Sequence, residues 1–287
     1  MIDRYLLRYF LAVIDEGNFS RAAGRCNVSQ PTLSVGIAKL ERLIGRKLFD
    51  RTNRRVTLTP AGAQFAARAR RIESEFLAAE RDNPGAAARP IIRVGVLSTI
   101  PPRRLRDIAA RCALTAAAER VEFVDGRERD LIEALTRGRI DVALSLGRGN
   151  EQRFPFEPLH QEGYALALSA HHPLAGRSEI AAEELGAETM IVRRHCEALA
   201  ATSRHFTSRG VRPFFALRTF DDSRALALVE AGLGLTVMPE DYSAVGVARP
   251  KLLGFDQQRT VGLFFGAGLD AEQRQSSPIV AALRQPY

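Results

Sequence analysis

From Leu6 to Ile14 the apolar residues Leu6, Leu7, Phe10, Val13 and Ile14 recur at steps of three and four, the spacing of one buried helix face. Gly17 ends that helix. Ser20 is placed to cap a short second helix over Arg21–Cys26, and Asn27, Val28 and Ser29 form a tight turn into a third. Ser29 is the expected N-cap there. Pro31 sits in the first turn, where its missing N–H costs nothing, and Leu33, Ile37, Leu40 and Leu43 make the inward face. Two helices joined by a tight turn, the second with a polar start, predict a helix-turn-helix.

After Gly45, β-forming residues flank a polar turn at Asn53, which predicts a hairpin wing with Arg51, Arg54 and Arg55 near its tip. Thr59 and Pro60 then start a long helix. Along it Leu58, Gly62, Phe65, Ala69, Ile72, Phe76 and Ala79 alternate at steps of four and three, a heptad stripe suited to pairing with a second helix. A helix packed on its own domain satisfies the same spacing. The run from Asp82 to Pro90 breaks the pattern. The organisation expected is a reading head over 1–58, a linker helix over 59–83, a hinge over 84–90 and a sensing domain over 91–287.

Beyond Ile91 short apolar strands alternate with helical patterns, which argues α/β architecture. Strands are expected over 91–97, 121–124, 141–146, 164–169, 189–192, 215–219, 235–238 and 260–265.

Charge sharpens this division. Residues 1–90 hold 16 Lys and Arg against 9 Asp and Glu, and the rest of the chain 25 against 24. Nearly all of the net +8 therefore lies on the segment with the helix-turn-helix, as a polyanion partner would require. The chain of 287 residues is long enough for two domains. It shows neither a signal-peptide order at its start nor a run of about 18 apolar residues, so a cytoplasmic protein without a membrane partner is expected. Cys26, Cys112 and Cys196 have no metal or disulfide spacing, and His171–His172 lacks a third ligand at suitable spacing. No nucleophile elbow, Walker loop, HExxH or dinucleotide fingerprint occurs, so neither an enzyme, a metal nor a cofactor is expected.

The residues Ala22-Ala23, Val28-Ser29-Gln30-Pro31, Leu33-Ser34, Ile37, Leu40-Glu41, Gly45, Leu48-Phe49, Arg51 and Leu58-Thr59-Pro60-Ala61-Gly62 resemble the LysR-type transcriptional regulator family at the family's spacing. Cys26 stands where such regulators usually carry Leu, and Val35 and Gly36 where they often have Arg or Gln. The resemblance implies double-stranded DNA as partner, at an inverted repeat in a promoter. The DNA face is assigned to Ser29, Gln30, Thr32, Ser34, Val35, Arg51, Arg54 and Arg55. Val35 is suited to a thymine methyl and the arginines to backbone phosphate. A cap, a surface polar group or a solvated charge is the plainer reading of each.

Leu135, Gly138, Ile140-Asp141-Val142-Ala143, the run His171–Ala175, and Leu228–Leu235 with Met238-Pro239 are similar to the family's effector domain. The fold implied is an N-terminal all-α winged helix-turn-helix with a long linker helix, followed by an α/β two-lobed effector domain like the periplasmic binding proteins. Lobe I would cover about 91–161 and 266–287 and lobe II about 162–265, with the effector between them. The resemblance also implies a dimer, assembled further into a tetramer, and contact with RNA polymerase.

Ligands of open α/β sheets sit beyond the carboxyl ends of strands. That rule assigns the effector to Ser98, Thr99, Ile100, Ser145, Arg194, His195, Thr219 and Phe220, and hydroxyls beside a helix start suit a small organic anion. Helix capping is the plainer reading of Ser98 and Thr99. Cys196, between His195 and Glu197 after two arginines, is a candidate redox thiol and resembles, at the His-Cys pair alone, the family's peroxide-sensing members. Those need a second cysteine, and Cys112 and Cys26 are distant in sequence, so an ordinary thiol beside the ligand is the simpler reading. A solute-binding component of transport is the alternative for the chain from Ile91 on; the attached reading head and the start of the chain count against it.

Overall fold

The computed structural model describes residues 1–52, 55–80, 89–115, 118–147 and 154–285. They divide into two compact units, Met1–Leu159 with Gly262–Tyr287, and His160–Val261.

The first unit opens with α1 (Arg4–Glu16), α2 (Phe19–Arg25) and α3 (Gln30–Ile44). Leu6, Leu7, Phe10, Val13 and Ile14 are all buried, and Gly17 closes α1 in the left-handed region at φ 64°. The cap of α2 is Asn18, whose side chain accepts from Ser20 N and Arg21 N; Ser20 itself is the second residue of the helix. Both are good caps, and the backbone decides: Asn18 is extended at φ −151° and ψ 133°, whereas Ser20 is already helical. Asn27, at φ 54°, makes the turn, and Ser29 Oγ accepts from Thr32 N to start α3. Leu33, Ile37 and Leu40 are fully buried, whereas Leu43 is 43% exposed: the buried stripe drifts off the core in the last turn of the helix.

The wing is the antiparallel pair β1 (Phe49–Thr52) and β2 (Arg55–Leu58). Glu41 of α3 sets its entry, accepting from Leu48 N at 2.8 Å and Phe49 N at 3.2 Å. Asn53 and Arg54, and the side chains of Arg51 and Arg55, lie outside the described residues.

Helix α4 (Pro60–Glu80) begins as expected, with Thr59 Oγ1 accepting from Gly62 N at 2.9 Å. Its first half is packed within the unit. Ala66 and Ala69 are fully buried, and Phe65 meets Phe10 ring to ring at 5.1 Å. A β-carbon on Gly62 would lie 2.1 Å from Leu48 O, so glycine is required by the close approach of wing and helix. The heptad stripe is thus consumed by the chain's own core as far as Ala69, and among its described side chains Ile72 and Phe76, about two-fifths exposed, remain for a second helix. The side chain of Ala79 and residues 84–88 of the expected hinge lie outside the described residues.

The strands β3 (Ile91–Leu97), β4 (Arg120–Gly126) and β5 (Val142–Gly147) pair in parallel, joined by helices α5 (Pro102–Leu114) and α6 (Glu128–Thr136). The sheet order is β4-β3-β5-β14-β6, with β6 (Phe156–Glu162) and β14 (Arg259–Phe265) completing it. β6 was not expected, because Pro158 and His160 interrupt any apolar run there. Within this unit the turn after α6 docks on the reading head. Arg139 donates to the α1 carbonyl of Ile14 at 2.8 Å and to that of Asp15, and Arg70 of α4 pairs with Asp15 at 3.3 Å.

The second unit is built on β7 (Tyr164–Ser169), buried along its whole length. It also holds β8 (Glu179–Ile180), β9 (Thr189–Arg193), α7 (Leu199–Thr207), β10 (Phe214–Thr219), α8 (Asp222–Glu230), β11 (Thr236–Pro239), β12 (Val247–Ala248) and β13 (Lys251–Leu252). β11, β12 and β13 pair antiparallel with β7, and β9 pairs in parallel with β10. Two helices close the chain in the first unit, α9 (Ala271–Ser276) and α10 (Pro278–Arg284). Among the described residues no helix is long and apolar enough to cross a membrane.

Candidate DNA-reading and effector sites

The start of α3 presents Gln30, Thr32 and Val35 to solvent, with Ser34 half-buried. Val35 is 69% exposed, the only large apolar side chain of the helix's first two turns left outside. Ser29 Oγ lies 2.7 Å from Thr32 Oγ1, so the two hydroxyls satisfy one another while the cap holds. Gly36, a departure from the family pattern, is buried beneath Tyr9 and so lies off the exposed face. At the helical repeat, Val35 shares its face with Ala38, Lys39 and Arg42, all exposed. Lys39 and Arg42 escaped the sequence reading, although the step of seven from Val35 to Arg42 was there to find them. Lys39 is held by Tyr5 Oη at 2.9 Å.

In the same unit, Ser98, Thr99 and Ile100 follow the carboxyl end of β3 in a turn closed by Ile100 N donating to Leu97 O. Helix α5 starts at Pro102 with Pro101 as cap, so neither Ser98 nor Thr99 caps it. Thr99 and Ile100 are buried and Ser98 is half-buried. The parallel register sets Val96 against Leu144, which brings Ser145 to the same sheet edge as Ser98. Ser145 is fully buried, and among the described residues its hydroxyl has no hydrogen-bond partner. A buried hydroxyl left so costs about 1–3 kcal/mol, and such groups mark places where a bound polar molecule completes the structure.

In the second unit, the register of β9 and β10 places Thr219 against Arg193, and Arg194 N donates to Thr219 O at 2.8 Å. Arg194, His195, Thr219 and Phe220 therefore gather at one sheet edge. The Arg194 guanidinium is exposed and lies over the Phe220 ring at 5.5 Å. Thr219 Oγ1 accepts from Asp221 N, and Asp221 in turn caps α8.

Beneath them lies a buried network that the sequence reading missed. Arg193 Nε donates to Asp222 Oδ1 at 2.6 Å, its Nη2 binds Oδ2, and Tyr242 Oη donates to Oδ2 at 2.7 Å. His195 Nε2 lies 3.2 Å from Asp222 Oδ1, with its side chain only 2% exposed. Burial alone would raise the Asp222 pKa, but the His195 imidazole, the Arg193 guanidinium and Tyr242 together hold it well below the usual carboxylate range. Arg193 Nη1 also donates to Cys196 Sγ at 3.3 Å and to Val237 O. Burial nevertheless pushes the Cys196 thiol up, outweighing the pull of Arg193.

Among the described residues no group of three His, Cys, Asp or Glu is arranged to hold a metal. His172 instead pairs with Glu188 at 3.3 Å and accepts from Leu174 N.

The family model for bacterial regulatory helix-turn-helix proteins of the lysR family matches residues 5–63, and that for the LysR substrate binding domain matches residues 85–282. The hydrogen peroxide-inducible genes activator of Haemophilus influenzae is 29% identical over 93% of this chain and 92% of its own length. A probable hydrogen peroxide-inducible genes activator of Mycobacterium avium is 30% identical over 96% of this chain and 93% of its own. The fold is similar to that of full-length OxyR from Pseudomonas aeruginosa, with a TM-score of 0.63 at 23% identity over 100% of this chain and 99% of that one. Full-length BenM gives a TM-score of 0.53 at 23% identity over 99% and 96%. An N-terminal head that binds DNA, followed by an effector-binding domain, is the plan of a transcription regulator and not of an enzyme: the chain belongs to the LysR family of bacterial regulatory helix-turn-helix proteins.

Proposed function

We propose that this regulator reads DNA through the exposed start of α3 and answers to a small organic anion rather than to peroxide. Ser29, Gln30, Thr32, Ser34 and Val35 face the major groove, and Arg51, Arg54 and Arg55 of the wing hold backbone phosphate. Lys39 and Arg42 extend that face. The protein acts in the cytoplasm as a dimer or tetramer on a promoter inverted repeat, in contact with RNA polymerase. Effector contacts are assigned within each unit by itself: Ser98, Thr99, Ile100 and Ser145 in the first, and Arg194, His195, Thr219 and Phe220 in the second.

The observation that carries the effector reading is the buried, unpartnered hydroxyl of Ser145, beside Ser98 at the carboxyl edge of a parallel sheet. The relatives named for peroxide bring a second reading, in which Cys196 is the sensor. Against it, Cys196 is the one cysteine of residues 160–261 and its thiol is pushed up by burial, so it forms thiolate reluctantly at neutral pH.

The test is a titration of the full chain against DNA from upstream of its own coding region, beside a scrambled duplex, at several salt concentrations. Preference for the native duplex with a steep salt slope is expected, and Arg54→Ala with Arg55→Ala should lower affinity and flatten that slope. Equal binding to both duplexes would remove the DNA assignment. Ser98→Ala with Thr99→Val should abolish the response to effector and spare DNA binding. A response lost on Cys196→Ser and evoked by peroxide would replace the organic anion with the thiol.

A further inference from the structure

Gly36 lies on the flank of α3 that adjoins α1. A β-carbon there would stand 2.7 Å from Tyr9 Cδ2 and 3.1 Å from its Cε2, so the absent side chain lets the two helices approach closely. That approach carries the preceding turn of α1 to the reading helix. Tyr5 lies four residues before Tyr9 and Lys39 three after Gly36, so the contact of Tyr9 with Gly36 sets Tyr5 against Lys39 one turn along. The two tyrosine rings meet edge to face at 5.6 Å. Lys39 Nζ donates to Tyr5 Oη at 2.9 Å and stands 5.6 Å from the centre of the Tyr5 ring.

Both side chains are exposed, and Lys39 follows Val35 by four residues on the face of α3 read above as the DNA face. An ammonium has three donors and no acceptor, so Tyr5 Oη must accept in this bond. Among the described residues nothing takes the proton of the Tyr5 hydroxyl itself. The carboxylate that faces Lys39 is that of Asp3, at 3.7 Å, beyond hydrogen-bond length. Asp3 precedes α1 and its side chain makes no cap bond there. Two donors of different kinds, a hydroxyl and an ammonium, thus stand side by side at the rim of the reading face, with one weakly engaged carboxylate behind them.

We propose that Tyr5 is a DNA-contacting residue of this chain: together with Lys39 it clamps one backbone phosphate beside the groove that α3 enters, and it holds the lysine in place to do so. This deepens the DNA reading above and rests on it. A phosphodiester has two free oxygens, one for the hydroxyl and one for the ammonium, and both side chains are ordinary donors to that group. Lysine alone is a charge on a flexible stem. Bound to Tyr5 Oη it is ordered before DNA arrives, so less freedom is lost on binding. Asp3 works against the clamp, because a phosphate has to take the lysine from it. Such a contact fixes register and carries no sequence information. Gly36 then contributes to DNA binding without a side chain of its own, by admitting α1 to the edge of the reading face.

The test titrates the full chain, by fluorescence anisotropy at several salt concentrations, against DNA from upstream of its own coding region and against a scrambled duplex. Tyr5→Phe keeps the ring against Tyr9 and removes only the hydroxyl. It should weaken both duplexes by the same factor, about three- to tenfold, with the salt slope and the urea midpoint unchanged. Lys39→Gln should weaken both and lower the salt slope by about one. The double variant should lose less than the product of the two factors, as a shared contact requires. Asp3→Asn should tighten binding about twofold. A scan of single methylphosphonates, each removing one phosphate charge, should find a position that weakens the unsubstituted protein and leaves the double variant unaffected. If the protein prefers its own duplex and Tyr5→Phe binds as tightly, the clamp is overturned and the DNA reading stands. If the unsubstituted protein binds neither duplex, both fall together. A changed preference between duplexes in Tyr5→Phe would give Tyr5 a base contact and overturn the phosphate assignment, and independent effects in the double variant would remove the positioning role.

Discussion

The ring of Tyr9 fills the space that a side chain at residue 36 would need: a β-carbon built on Gly36 lies 2.7 Å from Tyr9 Cδ2. α1 and α3 cross closely there. Replacing Gly36 with Arg, the residue often found at this position in the family, should therefore not add a base contact. It should cost about 1–3 kcal/mol through overpacking, seen as a lower urea midpoint, whereas Val35→Arg should keep the midpoint and change which duplexes are preferred. Equal stability of the Gly36→Arg protein would show that Tyr9 swings away freely.

The Arg193–Asp222 pair should behave as a unit. Asp222→Ala leaves a guanidinium buried without its carboxylate and should destabilise by about 3–5 kcal/mol. Chemical denaturation of the single variants and of the double Arg193→Met, Asp222→Leu protein separates the cost of an orphaned charge from the worth of the pair. The double variant should recover much of the loss. A double variant as unstable as the sum of the singles would show that the pair itself holds the second unit together.

Acid sensitivity should have Glu162 as one of its sources, alongside the depressed Asp222 and Glu197. Burial would raise its pKa, yet His160, Arg259 and the Asp241 N–H bring it down to about 2. A depressed carboxylate stabilises the fold fully above its unfolded value of about 4.5 and loses that contribution as pH falls towards 2. The loss amounts to about 3 kcal/mol over that window. Circular dichroism melts from pH 6 to pH 2 should show a steep decline for the native chain and a flatter one for Glu162→Gln. Parallel declines would place the titrating group elsewhere.

Cys196 should react slowly. With its thiol raised by burial, alkylation by iodoacetamide at pH 7 should run well below the rate of the same cysteine in unfolded protein and climb as pH rises past 9. Peptide mapping follows the site directly, with Cys26 as the internal comparison. Rapid labelling at pH 7 would restore the thiol as a sensor.

Much of the reading head was legible because helix faces are local. Leu6, Phe10, Leu33 and Leu40 lie at helical spacing, and Ser29 and Gly17 announce helix ends by their own chemistry. The misplaced details come from choices that local pattern leaves open. Asn18 and Ser20 both cap well, and only the backbone geometry before α2 decides between them. Leu43 continues the periodicity but runs past the core. In the sensing domain, Arg193 and Arg194 are adjacent in sequence and opposite in fate: Arg193, the last residue of β9, turns into the interior, where Asp222 awaits it, and Arg194, in the turn that follows, lies outward over Phe220. Pairings such as Arg193 with Asp222 join residues 29 apart, and no spacing rule foretells them. The orphaned hydroxyl of Ser145 is a property of its surroundings, and residue identity alone carries no sign of it.

The guanidinium of Arg139 holds the last carbonyls of α1. That helix packs directly against α2 and α3, so the side chain works as a latch between the loop that follows α6 and the frame of the DNA reader. A strain arriving at Gly138–Arg139 has two outlets: it breaks hydrogen bonds at the latch, or it drags the reading helix along. Arg70 of α4, paired with Asp15 at 3.3 Å, braces the same end of α1, so the frame of the reader is held there by two arginines rather than one.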